Sequence, residues 1–180
     1  MPSRTIKDLY QALEAWSSQH SPRTRSSLRG PVDADALRAL EHAIGRALPA
    51  DLRAALAIHD GRANLDGYKL LHAERIQDRY QDELAHADQA SSHPQRGTCR
   101  PVQWSKGWIP FAEDGGLNFL CLDLDPGPSG AAGQVIRWER SARGADATQW
   151  KSFADWLGAI VDACLAGAVN IDAEGFVTLR

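Results

Sequence analysis

Absences narrow the reading before anything else does. Nowhere does the chain gather the roughly 20 consecutive apolar residues that a membrane-spanning helix needs. Residues 1–8, Met-Pro-Ser-Arg-Thr-Ile-Lys-Asp, lack the apolar centre of a secretion signal, so a protein that stays in the cytoplasm is expected. Cysteine is scarce. Cys99, Cys121 and Cys164 are odd in number and widely spaced, and two of them fall in apolar runs, which predicts buried, reduced thiols and no disulfide framework. His20, His42, His59, His72, His86 and His93 are equally scattered; with no short-spaced ligand set, no metal and no other cofactor is expected. The Gly-rich stretch 127–133 lacks the Lys-Ser/Thr ending of a phosphate loop and runs into a strand. A Gly-x-Ser-x-Gly elbow is missing, and no Cys has a neighbouring His. An excess of one charge is missing too. A net charge of -3 gives no overall drive towards nucleic acid or an anionic membrane.

What is present describes an ordinary globular chain. Its 180 residues, 43% hydrophobic and 24% charged with six Trp, suffice for one domain that buries roughly 70% of the unfolded surface. The organising stretch is 106–126, Lys-Gly-Trp-Ile-Pro-Phe-Ala-Glu-Asp-Gly-Gly-Leu-Asn-Phe-Leu-Cys-Leu-Asp-Leu-Asp-Pro. Asp114-Gly115 predicts a tight hairpin turn with Gly115 at positive φ. After it, Leu117, Phe119 and Cys121 alternate with Leu120, Leu122 and Leu124, so this strand is apolar on both faces and belongs in the middle of a sheet.

Ile6, Leu9, Tyr10, Leu13 and Trp16 recur at helical spacing, which predicts a helix over 5–18 with Thr5 as N-cap. Residues 17–31 collect Ser, Pro and Gly with Arg23, Arg25 and Arg29; a solvated linker is the simpler reading, a basic phosphate-binding arm the other. A helix opened by Asp33 carries Leu37, Leu40, Ile44 and Leu48, and a second starts at Pro49 and is expected to stop at Gly61. Around Asp66-Gly67 a turn leads into a short strand. Ile76, Tyr80, Leu84 and Ala87 line the inner face of a further helix, leaving Arg75, Asp78, Arg79, Asp82 and Glu83 on a solvated face. Loops are expected over 91–101 and 141–149, a strand over 134–139 with Ile136 and Trp138 inward, a broad-faced helix from Ser152, and a terminal hairpin of 169–171 with 176–179.

Chemistry is thin. Asp123 and Asp125, two apart on a strand, project from one face and could hold a divalent cation or share a proton; equally, Asp125 before Pro126 opens a turn through its side-chain oxygen. Glu113 and Asp114 form a second acidic pair at the strand's other end. His59 and Asp60 could act as base and orienter, yet no nucleophile is tied to them, and a His in a last helical turn also complements the dipole.

These segments resemble a known family. Residues 107–116 (Gly-Trp-Ile-Pro-Phe-Ala-Glu-Asp-Gly-Gly), then 120–126 and 133–136, are similar to the core of the SUKH superfamily, which includes the fungal Smi/Knr-type cell-wall synthesis regulators. Leu48-Pro49-Ala50-Asp51-Leu52 with His59-Asp60-Gly61, and Ser152 to Leu157, agree in order. Leu117 stands where the family often has Gly or a polar residue, and His59 where Asn or another polar residue is commoner.

The resemblance implies an α+β fold, a single domain with a largely antiparallel sheet packed by helices. It spans about 33–166, with the helix and linker of 1–32 before it and an extension over 167–180 after it. It implies no catalytic set, hence a binder and not an enzyme. Bacterial members are immunity proteins that neutralise toxins, often nucleases, so a cognate toxin is the expected partner. Glu113, Asp114, Asp123 and Asp125 are the expected contacts, complementing a basic groove. The alternative is a regulatory interaction module with an endogenous partner, and a metal-dependent enzyme using Asp123 and Asp125 comes third. Direct binding of nucleic acid or membrane is not expected, and the oligomeric state is open.

Overall fold

Thr5 starts the first helix as its spacing predicts. In the computed structural model, which describes residues 4–92 and 97–180, α1 (Ile6–His20) opens with a capping box: Asp8 N donates to Thr5 Oγ1 (3.2 Å) and Thr5 N to Asp8 Oδ2 (2.9 Å). The expected linker is instead partly helical. Pro22–Ser27 forms α2, and Ser21 and Thr24 are buried because Thr24 Oγ1 donates to Gly175 O (2.8 Å) and receives from Ser21 Oγ (2.8 Å). Small hydroxyls that satisfy each other and a distant carbonyl can enter a core that solvated residues cannot.

Asp33 caps α3 (Ala34–Ile44), which ends at Gly45, and α4 (Ala50–Leu56) follows Pro49. Gly61 does not stop that helix, which ends earlier. It has φ +71, and a Cβ there would lie 2.5 Å from the Leu71 carbonyl carbon, so Gly61 is where two backbones touch. β1 (Asn64–Leu65) and β2 (Tyr68–Leu70) flank Asp66 (φ 52) and Gly67 (φ 76). Here the two-residue turn with both residues left-handed is realised.

Asp60 Oδ1 then accepts from Ala73 N (2.7 Å) at the start of α5 (Ala73–Leu84). The loop expected over 91–101 falls partly on 93–96, outside the described residues. β3 (Trp108–Glu113) and β4 (Phe119–Asp123) make the central hairpin, and every residue of β4 is buried. Its turn is longer than two residues, and the left-handed position belongs to Leu117 (φ 64), not Gly115. β5 (Gln134–Glu139) is as expected, but the expected loop after it contains β6 (Gly144–Ala147), whose small residues carry no alternation to betray it. Ser152 caps α6 (Phe153–Leu165), and β7 (Val169–Ile171) pairs with β8 (Val177–Leu179) as the terminal hairpin.

The strands form one sheet in the order β6-β5-β4-β3-β2-β1-β8-β7, antiparallel throughout except for β1 beside β8. This is a single α+β domain. On one face Phe111, at a bulge in β3, meets Phe153 and Trp156 of α6, with α1 and α4 packed beyond. On the other, Phe119 stacks on Trp138 (5.2 Å, 12°) beside Trp104 and Trp108, and α5 covers β3. Tyr10 of α1 is wholly buried, its ring edge-on to His59 (5.0 Å), so α1 is part of the core. Among the described residues no helix is long and apolar enough to cross a membrane.

Candidate interaction site

The four acidic residues singled out from the sequence do not share a surface. Asp123 is fully buried: its Oδ1 accepts from Asp125 N (2.9 Å) and its Oδ2 from Gln134 Nε2 (3.0 Å). Burial raises its pKa, and those hydrogen bonds only partly oppose the rise. Asp125 turns elsewhere, accepting from Ser105 Oγ (2.6 Å) and pairing with Arg100. Burial works against its ionisation too, but Ser105 and Arg100 outweigh it and hold the carboxyl below its usual range. The two carboxylates thus serve separate bonds at the start of the turn after β4. Among the described residues no three His, Cys, Asp or Glu side chains are placed to hold a metal ion.

At the hairpin's opposite end Glu113 accepts from Arg79 Nε (2.8 Å) and lies 3.7 Å from Arg75. Asp114 organises the turn, its Oδ1 accepting from Gly116 N (2.7 Å) and Asn118 N (2.9 Å). His59 and Asp60 are likewise structural. The His59 ring nitrogens face Arg29 O (2.6 Å) and Glu14 Oε1 (3.0 Å), tying α1 and the segment after α2 to the end of α4. All three cysteines are free and buried, and burial pushes Cys99 up to about 12 and Cys164 to about 11.

Between α5, the β3–β4 turn and the connection from β5 to β6 lies a cleft of about 360 Å³, lined by Arg79, Asp82, Glu83, His86, Gln103, Leu117, Trp138, Arg140 and Arg143. Its walls are fixed by internal bonds. Trp138 Nε1 donates to Gln103 O (2.7 Å), Arg140 N to Asn118 Oδ1 (3.0 Å), and Arg79 sits over the Phe119 ring (5.9 Å) while paired with Glu113. Its remaining charges are not spent in this way. Among the described residues the Arg140 guanidinium has no ion pair, and Arg143 reaches only the Gln103 amide oxygen (3.3 Å). Glu83 is buried, 7% exposed, and its side chain has no hydrogen bond or ion pair among the described residues. Burial raises its pKa, with Arg140 and His86 opposing.

Arg79 and Glu83 therefore correct the expected solvated face of α5. The signal was present: Ile76, Tyr80, Glu83 and Ala87 follow spacings of four, three and four, an inward stripe with a carboxylate in it. Arg140 and Arg143 carried no such sign, because the strand that brings them to the cleft was not foreseen.

Comparison with known proteins follows the same frame. The profile of the SMI1 / KNR4 family (SUKH-1) matches residues 31–159, which runs from α3 through the whole central hairpin into the first half of α6. The chain belongs to the SMI1/KNR4 (SUKH-1) family. It is 28% identical to a cell wall biosynthesis/cell cycle regulator of Schizosaccharomyces pombe, covering 86% of this chain and 35% of that protein. It is 23% identical to a cell wall assembly regulator of Saccharomyces cerevisiae, over 73% of this chain and 35% of the relative. A glucan synthesis regulatory protein of Neurospora crassa is 26% identical over 75% and 34% respectively. The chain thus spans about a third of the length of these relatives. Family members named this way are fungal regulators, not specifically bacterial immunity proteins.

Proposed function

We propose that this domain is a regulatory protein-interaction module that docks an endogenous partner at the cleft beside α5. One observation carries the reading: the cleft walls are fixed by internal bonds while Arg140, Arg143 and Glu83 form no ion pair among the described residues. Positioned charges that no internal ion pair neutralises are free to complement a partner of opposite charge. The names of the fungal relatives support regulation as the outcome of such binding. No catalytic role is assigned, and the role of a whole relative in cell-wall assembly is carried over only as part of this proposal.

The test is purification of the tagged domain with its partner from the source cells, wild type against the double variant Arg140→Glu, Arg143→Glu. A partner recovered in stoichiometric amount with the wild type and lost with the variant supports the module. Equal recovery with both places the contact elsewhere.

Neutralisation of a delivered toxin is the narrower form of the same proposal, supported by the sequence resemblance to the superfamily's bacterial immunity proteins. Asp114 and Asp125, each half-exposed, are the members of the original acidic set still open to a basic groove. Co-expression with a toxin encoded beside the gene distinguishes the two forms: restored growth selects neutralisation, and unrelieved toxicity removes it.

A further inference from the structure

Glu83 is 7% exposed and lines an open cleft, and its side chain has no hydrogen bond to any of the described residues. The carboxylate faces the cleft, so whatever fills the cleft supplies its hydrogen-bond partner. Around it stand Arg79 and Asp82 from α5, His86 just beyond its end, Arg140 and Arg143 from the far wall, and Cys121 from β4 below. Asp82 is already held by Arg79 at 3.6 Å. Leu117 and Trp138 supply the apolar wall.

We infer that the cleft takes an acidic side chain, Asp or Glu, from an extended segment of the protein partner, and that Glu83 donates a proton-bearing hydrogen bond to it. The inference rests on the interaction-module reading and names the chemistry of that same site. Charge decides the sign. Arg79 is already paired with Glu113 and Asp82, so an entering ammonium or guanidinium would face the unpaired Arg140 and Arg143, whereas an entering carboxylate meets those two guanidinium groups. With Asp82 offset by Arg79, the repulsion left is that of Glu83, and a single proton removes it, because two carboxylates in contact share one readily. That proton lies between the two carboxyl groups, comes from solvent on binding and returns on release. A phosphate or a nucleic-acid backbone fits less well. It brings charge that Glu83 must meet at every pH at which the phosphate is ionised, and Trp138, the aromatic residue that lines the cleft, is only 2% exposed, too little for a base to stack on.

Leu117 strengthens the assignment. A Leu at φ 64 is strained, and a Gly would relieve it, yet this residue holds an apolar side chain at the rim of the cleft. Its removal should cost binding and not stability.

The experiment uses the intact protein on an array of short, terminally blocked peptides with acidic, amide or basic central pairs, followed by titration of the best binder. Acidic peptides are expected to dominate. Arg140→Glu with Arg143→Glu, both exposed positions, should weaken them at least about tenfold, the loss expected for charge-assisted hydrogen bonds. Leu117→Gly should weaken binding while leaving the denaturation midpoint at or above that of the wild type. The wild type should bind tighter as pH falls. Glu83→Gln, which carries the donor permanently, should bind at least as tightly at neutral pH and lose that dependence. A preference for basic or amide peptides overturns the inference. So does binding of acidic peptides that the arginine reversals leave unchanged, or displacement of them by inorganic phosphate or single-stranded nucleic acid. A partner that co-purifies through the cleft but contains no acidic segment there removes this chemistry and leaves the module standing. Failure to dock any partner at the cleft removes both.

Discussion

A leucine, a glycine and a glutamate show how single residues are placed against their own preference. Leu117 has φ 64, where an L-residue with a Cβ pays about 1–2 kcal/mol, while glycine brings extra chain entropy of about 0.5–1 kcal/mol to the unfolded state. Leu117→Gly should therefore leave stability unchanged or raise it by up to about 1 kcal/mol in a urea melt. A loss larger than that would mean that Leu117 serves the core. Gly61→Ala is the opposite case. With φ +71 and a Cβ site 2.5 Å from the Leu71 carbonyl carbon, both strain and clash oppose it, and a loss of at least about 2 kcal/mol is expected. Glu83 sets a pH dependence. Its folded pKa is raised by burial above the ordinary 4.5, so the folded state holds the proton more tightly than the unfolded chain. Its favourable contribution is full below 4.5 and is lost as pH rises through the folded value. Glu83→Gln should thus gain stability on the wild type at pH 7 and not at pH 4, read by paired melts; a gain that does not change with pH would contradict the raised pKa.

Among the elements, the β3–β4 hairpin and α1 carry the clearest energetic claims. Phe119 lies under Arg79 and stacks on Trp138, so Phe119→Ala should cost about 3–5 kcal/mol. A much smaller loss would mean that β4 is not the buried strand described. Leu13 of α1 is fully buried, and Leu13→Ala should cost about 2–5 kcal/mol if α1 belongs to the core; a near-neutral result would make it an appendage. Elements with a strong period are legible in the sequence: α1 with Thr5 as its cap, α3, α6, and the doubly apolar β4. What was not legible depended on distant partners. α2 is stabilised by the Gly175 carbonyl from the other end of the chain, and β6 by the neighbouring β5, neither of which leaves a local pattern. Turn chemistry was transferable but misplaced. Asp66-Gly67 forms the tight turn that Asp114-Gly115 seemed to promise, because Asp114 instead gathers the amides of Gly116 and Asn118 into a longer loop. Asp123 leaves the expected acidic surface for a related reason: spacing on a strand shows which carboxylates share a face, not whether that face is buried, as that of Asp123 is.

At the scale of the whole molecule, one sheet divides the domain into two unlike halves. Its α6 side, with α1 and α4, is an apolar support in which Phe111, Phe153 and Trp156 meet. Its α5 side ends in a cleft where charge is left over. The strands at the edges, β6 and β7, are only 4 and 3 residues long, which limits recognition by strand addition. Recognition is better served by the cleft, which draws on separate parts of the chain: α5, the segment before β3 with Gln103, the β3–β4 turn, and β5 with its connection to β6. Site-specific photo-crosslinking in the source cells tests this most directly, with the reactive group at Ala142, between Arg140 and Arg143, and a control at Lys7 on the exposed side of α1. A discrete protein adduct from position 142 and none from position 7 is the predicted result. An adduct from position 7 alone, or none from either, would contradict docking at the cleft.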